Sequence, residues 1–162
     1  MNKFPAMWLK KIVIISLLSF SLLGCSPDKV DKNEQIIALV KAMETAIESK
    51  HVDDFMVHIS DAIQTERGWG KKDIERLLRL RLMRRSSVHI HPQLKDIKWN
   101  NDGDDSARVE VAVAMAATEF SLAELAKINA DLMSFQVTFK KNDDSYIITG
   151  ARWQRAQPLD FL

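Results

Sequence analysis

The hydrophobic period of this chain changes once, near residue 87, and that change limits the fold more than any other feature. Upstream, apolar residues recur every three or four positions. Ile36, Ile37, Val40, Met43 and Ile47 fall on one face of a helix beginning at Asn33, with Lys41, Glu44 and Glu48 elsewhere. A second, short helix is expected from Val52, Phe55, Met56 and Ile59. Asp53 and Asp54 lie in its first turn, where negative charge suits the helix dipole. Gly68-Trp69-Gly70 breaks the chain, and a third helix is predicted over about 72–84, with Ile74, Leu77, Leu78 and Leu82 as its stripe.

Downstream the period is two. A strand over about 87–99 slips in phase: Val88, Ile90 and Leu94 share one parity, Ile97 and Trp99 the other. With Pro92 inside it, that slip indicates a bulge or bend. Asn101-Asp102-Gly103 is a hairpin turn signal. Val109, Val111, Val113 and Met115 alternate in the next strand, and Met133, Phe135, Val137 and Phe139 in another. Between them Ser121-Leu-Ala-Glu124 has capping-box spacing and predicts a short helix at about 122–128. A turn at Asn142-Asp143-Asp144 leads to the last strand, about 145–154. Three helices followed by a four-stranded antiparallel meander is an α+β layout.

This order of elements resembles the nuclear transport factor 2-like cone, also called SnoaL-like or cystatin-like, over residues 33–156. The residues that carry the resemblance are Arg67-Gly68, Lys72-Asp73 at the step into the third helix, and the ending Tyr146-Ile-Ile-Thr-Gly-Ala-Arg-Trp153. Val113-Ala-Met-Ala116 and Ala130-Asp-Leu-Met-Ser-Phe135 are similar to strands in bacterial lipoproteins of this fold. The resemblance implies three helices packed in a curved four-stranded antiparallel sheet. It leaves activity open, because the fold hosts dehydratases, isomerases, binding modules and inert scaffolds.

The N-terminus reads as a targeting segment. Lys3, Lys10 and Lys11 precede an apolar run, residues 12–24, that ends at Cys25, the only cysteine. About 13 apolar residues fall short of the ~20 that span a bilayer. Leu22-Leu23-Gly24-Cys25 resembles the lipobox of bacterial lipoproteins, which implies cleavage between Gly24 and Cys25 and diacylation of the cysteine. Ser26 in place of aspartate then implies the periplasmic face of the outer membrane. The expected organisation is a signal peptide over 1–24, a lipidated tether over 25–32, the domain over 33–156 and a C-terminal tail over 157–162. Without the three leading lysines, 20 basic residues of the 23 remain against 22 acidic ones. That near-neutral balance argues against general nucleic-acid binding. The partners expected are the membrane through the lipid on Cys25, and an acidic envelope partner or a second copy of the chain.

Candidate chemistry is sparse. His89 and His91 project from one face of a strand, two ligands where a structural zinc site needs four, so they are read as exposed histidines and no metal is expected. Asp54 and His58 have the spacing of an acid–base pair, but Asp53 and Asp54 are better explained as dipole-favoured surface residues. Asp102, Asp104 and Asp105 lack the distal glutamate of a calcium loop. Enzymes of the resembled fold carry carboxylate, histidine and tyrosine groups inside the cone. The inward positions Val109, Val111, Val113, Phe135, Val137 and Phe139 are apolar here, and no catalytic residue and no cofactor are expected. Trp69 and Trp153 are expected in the core. The third helix is basic, and Arg76, Arg79 and Arg84 form either a ridge for an acidic partner or a solvated face whose arginine stems cover apolar surface. The reading is a lipid-anchored envelope protein with a binding or structural role; the alternative is a small-molecule-binding or isomerase/dehydratase-like enzyme using the mouth of the cone.

Overall fold

The computed structural model describes residues 31–100 and 105–161. Three helices come first: α1 (Lys32–Glu48), α2 (Val52–Met56) and, after strand β1 (Ile59–Thr65), α3 (Lys71–Met83). Strands β2 (His89–Trp99), β3 (Ser106–Ala116), β4 (Asp131–Asn142) and β5 (Ser145–Arg155) follow. They form one sheet in the order β1-β5-β4-β3-β2. β1 runs parallel to β5, and all other neighbours are antiparallel. The four-stranded antiparallel expectation is therefore corrected to a five-stranded mixed sheet.

The added strand lacks a sequence signal for a physical reason. β1 has two buried apolar residues, Ile59 and Ile63, and its register with β5 is broken between Ile59 and Gln64. At its ends, Ile148 N–H donates to the His58 carbonyl at 2.8 Å and Glu66 N–H to the Ala151 carbonyl at 3.3 Å. Strand pairing this sparse leaves no alternation to read. Elsewhere the predicted irregularity is present: the β2–β3 register shifts between Leu94 and Asp96, and Pro92 sits on an edge strand, where its missing N–H costs no ladder bond.

The core lies between the helices and one face of the sheet. Ile36, Val40, Met43 and Ile47 of α1 pack with Val109, Val111, Val137, Phe139, Tyr146 and Ile148. Two apolar assignments change. Ile37 is 50% exposed, one step round the helix from Ile36, and Leu39 takes its place in the core. Leu77 of α3 is also exposed, so this helix packs through Ile74, Leu78 and Leu82.

α1 ends in a Schellman motif without glycine. His51 N–H donates to the Ala46 carbonyl and Lys50 N–H to that of Ile47, with Lys50 at φ 57°. At the other end of the helix, Trp99 Nε1–H donates to Asn33 Oδ1 at 2.8 Å, and Lys32 pairs with Asp105. The start of α1 is thereby fixed to the β2–β3 hairpin end of the sheet.

The outer face of the sheet carries a second, smaller core. Ala112 and Ala114 leave room over β3 for Leu125 and Phe161, with Phe120, Leu122 and Ile128 packed around them. Ser121 and Glu124 make the expected capping box, but it opens only a single 3-10 turn, Leu122–Glu124, rather than a helix to about 128. The segment expected as a C-terminal tail forms a 3-10 turn, Pro158–Phe161, and buries Phe161.

Candidate functional site

The inner face of the sheet, where a cone of this kind would hold a ligand, is occupied by side chains. The inward residues named from sequence all belong to the core or pack against it: Val109, Val111, Val137 and Phe139 are buried, Val113 and Phe135 half-buried. Tyr146, the chain's single tyrosine, is 2% exposed and meets Trp99 edge to face at 5.5 Å. Its ring is part of the packing between α1 and the sheet.

The rim of this face is built by aromatics. Trp69 and Trp153 lie with ring centroids 5.3 Å apart and planes tilted by 47°, and Phe135 is 6.5 Å from Trp153. The Arg67 guanidinium covers both indoles, 5.7 Å from one centroid and 5.2 Å from the other. Two local devices hold Trp69 in place. Thr65 Oγ1 accepts from Trp69 N–H at 2.7 Å, and Gly68 takes the left-handed conformation, φ 69°, that turns the chain back. The indoles expected in the core are half-buried and stand at its edge, because Arg67 already supplies the cover that a helix would otherwise give.

Asp54 and His58, which have the spacing of an acid–base pair, are not paired with each other. His58 is half-buried and its burial lowers its pKa, yet Asp54, four residues earlier, contacts His51 Nδ1 at 3.5 Å instead. His91 packs on Phe120 at 6.5 Å, edge to face. Among the described residues no three histidine, cysteine or carboxylate groups come together around a common point.

The basic ridge is partly neutralised. Arg76 pairs with Asp73 at 3.0 Å, and Arg79 with Glu75 at 2.9 Å and with Asp53. Arg84 follows the last turn of α3 and makes no ion pair among the described residues. Leu80 and Met83 protrude beside the arginines, 47% and 83% exposed. Cys25, the Gly24–Cys25 cleavage point, Asp102 and Asp104 lie outside the described residues.

Neither a protein-family model nor a curated protein sequence matches the chain. Solved structures do. One is a protein provisionally named scytalone dehydratase from Novosphingobium aromaticivorans DSM 12444, at 10% identity and a TM-score of 0.60, covering 78% of this chain and 85% of that one. A nuclear transport factor 2-like protein of unknown function from Shewanella oneidensis MR-1 gives 16%, 0.59, 76% and 98%. A provisionally named dehydratase of the same fold family from Streptomyces avermitilis gives 15%, 0.56, 78% and 97%. Helices packed on one face of a mixed five-stranded sheet define the fold class structurally. The chain has the nuclear transport factor 2-like fold.

Proposed function

We propose that the protein is a lipid-anchored module of the cell envelope, facing the periplasm from the outer membrane, whose domain binds or supports rather than catalyses. The observation that supports this reading is that the face of the sheet turned to the helices is apolar, with Val109, Val137 and Phe139 packed with Ile36, Val40 and Met43. A carboxylate with a raised pKa, the usual device of proton transfer in such a cone, would have to displace that core.

The anchor rests on Cys25 following Leu22-Leu23-Gly24. Within the domain, Asn33 is tied to Trp99 at the hairpin end of the sheet. Arg85, just past α3, pairs with Asp131 at the far end of β4. Eleven residues of strand cover about 33 Å, so the C-terminal end of α3 and the residue where the tether joins lie at opposite ends of the sheet. Arg84 makes no ion pair among the described residues, and an acidic envelope protein would supply its counter-charge.

Replacing Cys25 with Ser tests the anchor. Loss of palmitate labelling and release from membranes are expected; retained label or unchanged fractionation would overturn it. For the partner, Arg76, Arg79 and Arg84 are changed together to Gln and capture of acidic envelope proteins is compared at low and physiological salt; equal capture would assign the ridge to solvated surface.

The likeness to provisionally named dehydratases favours one second reading, a small-molecule enzyme at the rim formed by Trp69, Trp153 and Phe135. Under that reading Trp153→Ala would abolish turnover of a dehydratase substrate without unfolding the domain.

A further inference from the structure

Among the described residues, the outer face of the sheet is covered at one end by Leu125 and Phe161 over the alanines of β3. At the other end lies an open polar trough of about 370 Å³, across β1, β3, β4 and β5. Gly150 creates it. On β5 this residue stands between Thr138 of β4 and Gln64 of β1, and a Cβ there would lie 3.4 Å from the Thr138 side chain. Where neighbouring positions raise long polar chains, this one raises none, and the floor is bare backbone.

Two arginines flank the hollow. Arg108 on β3 sits opposite Thr138, and Arg152 on β5 opposite Gln136, so the two approach β4 from its two sides. Neither makes an ion pair among the described residues, although acidic groups are close by. Glu66, which also lines the trough, spends its Oε1 accepting from Trp153 N–H at 3.3 Å, and Glu110 is separated from Arg152 by Gln136. A guanidinium presents its donors in a planar fork that matches carboxylate and phosphate oxygens, and Gln136 and Thr138 add neutral donors between the two forks.

We propose that the trough over Gly150 binds an oxyanion, a carboxylate or phosphate group held between Arg108 and Arg152. The site is on the opposite face of the sheet from the filled cone and does not depend on the lipid anchor.

The test uses the full-length protein in neutral-headgroup detergent, titrated separately with inorganic phosphate, citrate and glucose. Binding is followed by calorimetry and by amide NMR shifts. Phosphate or citrate is expected to shift the amides of Gln64, Thr138 and Gly150, and glucose to leave them in place. Which anion saturates at the lower concentration distinguishes the two sources. Arg108→Gln and Arg152→Gln are each expected to weaken binding about tenfold, as the loss of a charged hydrogen bond would. Arg81→Gln on α3 should not. Shifts confined to α3, equal binding by the Arg108→Gln/Arg152→Gln variant, or equal response to glucose would overturn the proposal.

Discussion

Lys50 holds the left-handed conformation at φ 57° while its ammonium donates to the Ser86 carbonyl at 2.9 Å. The same group reaches the Arg85 carbonyl at 2.5 Å, so the residue that ends α1 also caps the chain leaving α3. Glycine is the usual residue at this backbone position, and a side chain there costs about 1–2 kcal/mol. The two carbonyl bonds offset that strain. Lys50→Met is expected to destabilise by about 1–2 kcal/mol, keeping the strain and losing the bonds. Lys50→Gly loses the bonds and relieves the strain, so its urea midpoint should fall between wild type and Lys50→Met. A midpoint for the Lys50→Met variant equal to that of wild type would show that the ammonium contributes nothing.

Phe161 belongs to the fold rather than to a tail. It is 2% exposed against Leu125 and the alanines of β3. Phe161→Ala should cost about 3 kcal/mol, at the low end for a buried phenylalanine because the surrounding core is small. Ala114→Leu, which fills the same space from the sheet side, should cost about 1–3 kcal/mol. Thermal melts of both variants check the pair, and a Phe161→Ala melt equal to wild type would return the segment to solvent.

Acidification should weaken the fold through His58. Burial lowers its pKa from the ordinary histidine value of 6.5. Between that value and the lower folded one, the unfolded chain binds the proton and the folded chain does not. Stability is therefore full above about pH 6.5 and declines as pH falls through it. Melting temperature followed from pH 7.5 to 5 should drop, and His58→Gln should flatten the profile in that window. The carboxylates act lower: the Lys32 hydrogen bond holds Asp105 below its usual range, so its contribution is lost only near and below pH 4.

Arg79 links α3 to α2 through Asp53 and to its own helix through Glu75. Both contacts are solvent-exposed, so salt should screen them. Arg79→Gln is expected to lower the melting temperature slightly in dilute buffer, with the difference vanishing in 1 M salt. A difference that survives salt would assign the effect to packing of the arginine stem.

Sequence alone determined the elements whose signal is local. The 3–4 spacing of Ile36, Val40, Met43 and Ile47 defined α1, and the alternations along β3 and β4 defined two central strands with their inward faces. Each pattern reports one face buried against one neighbour, and that much is written in residue order. Tertiary structure decided the rest. β1 became a strand only because β5 offers it a parallel edge. Leu39 replaced Ile37 in the core because the sheet approaches α1 from that side. Phe161 is buried because the alanines of β3 leave a hollow, and the trough stays open because Gly150 faces outward. These outcomes depend on residues brought together from distant parts of the chain, and no local period encodes which of two faces a distant segment will cover.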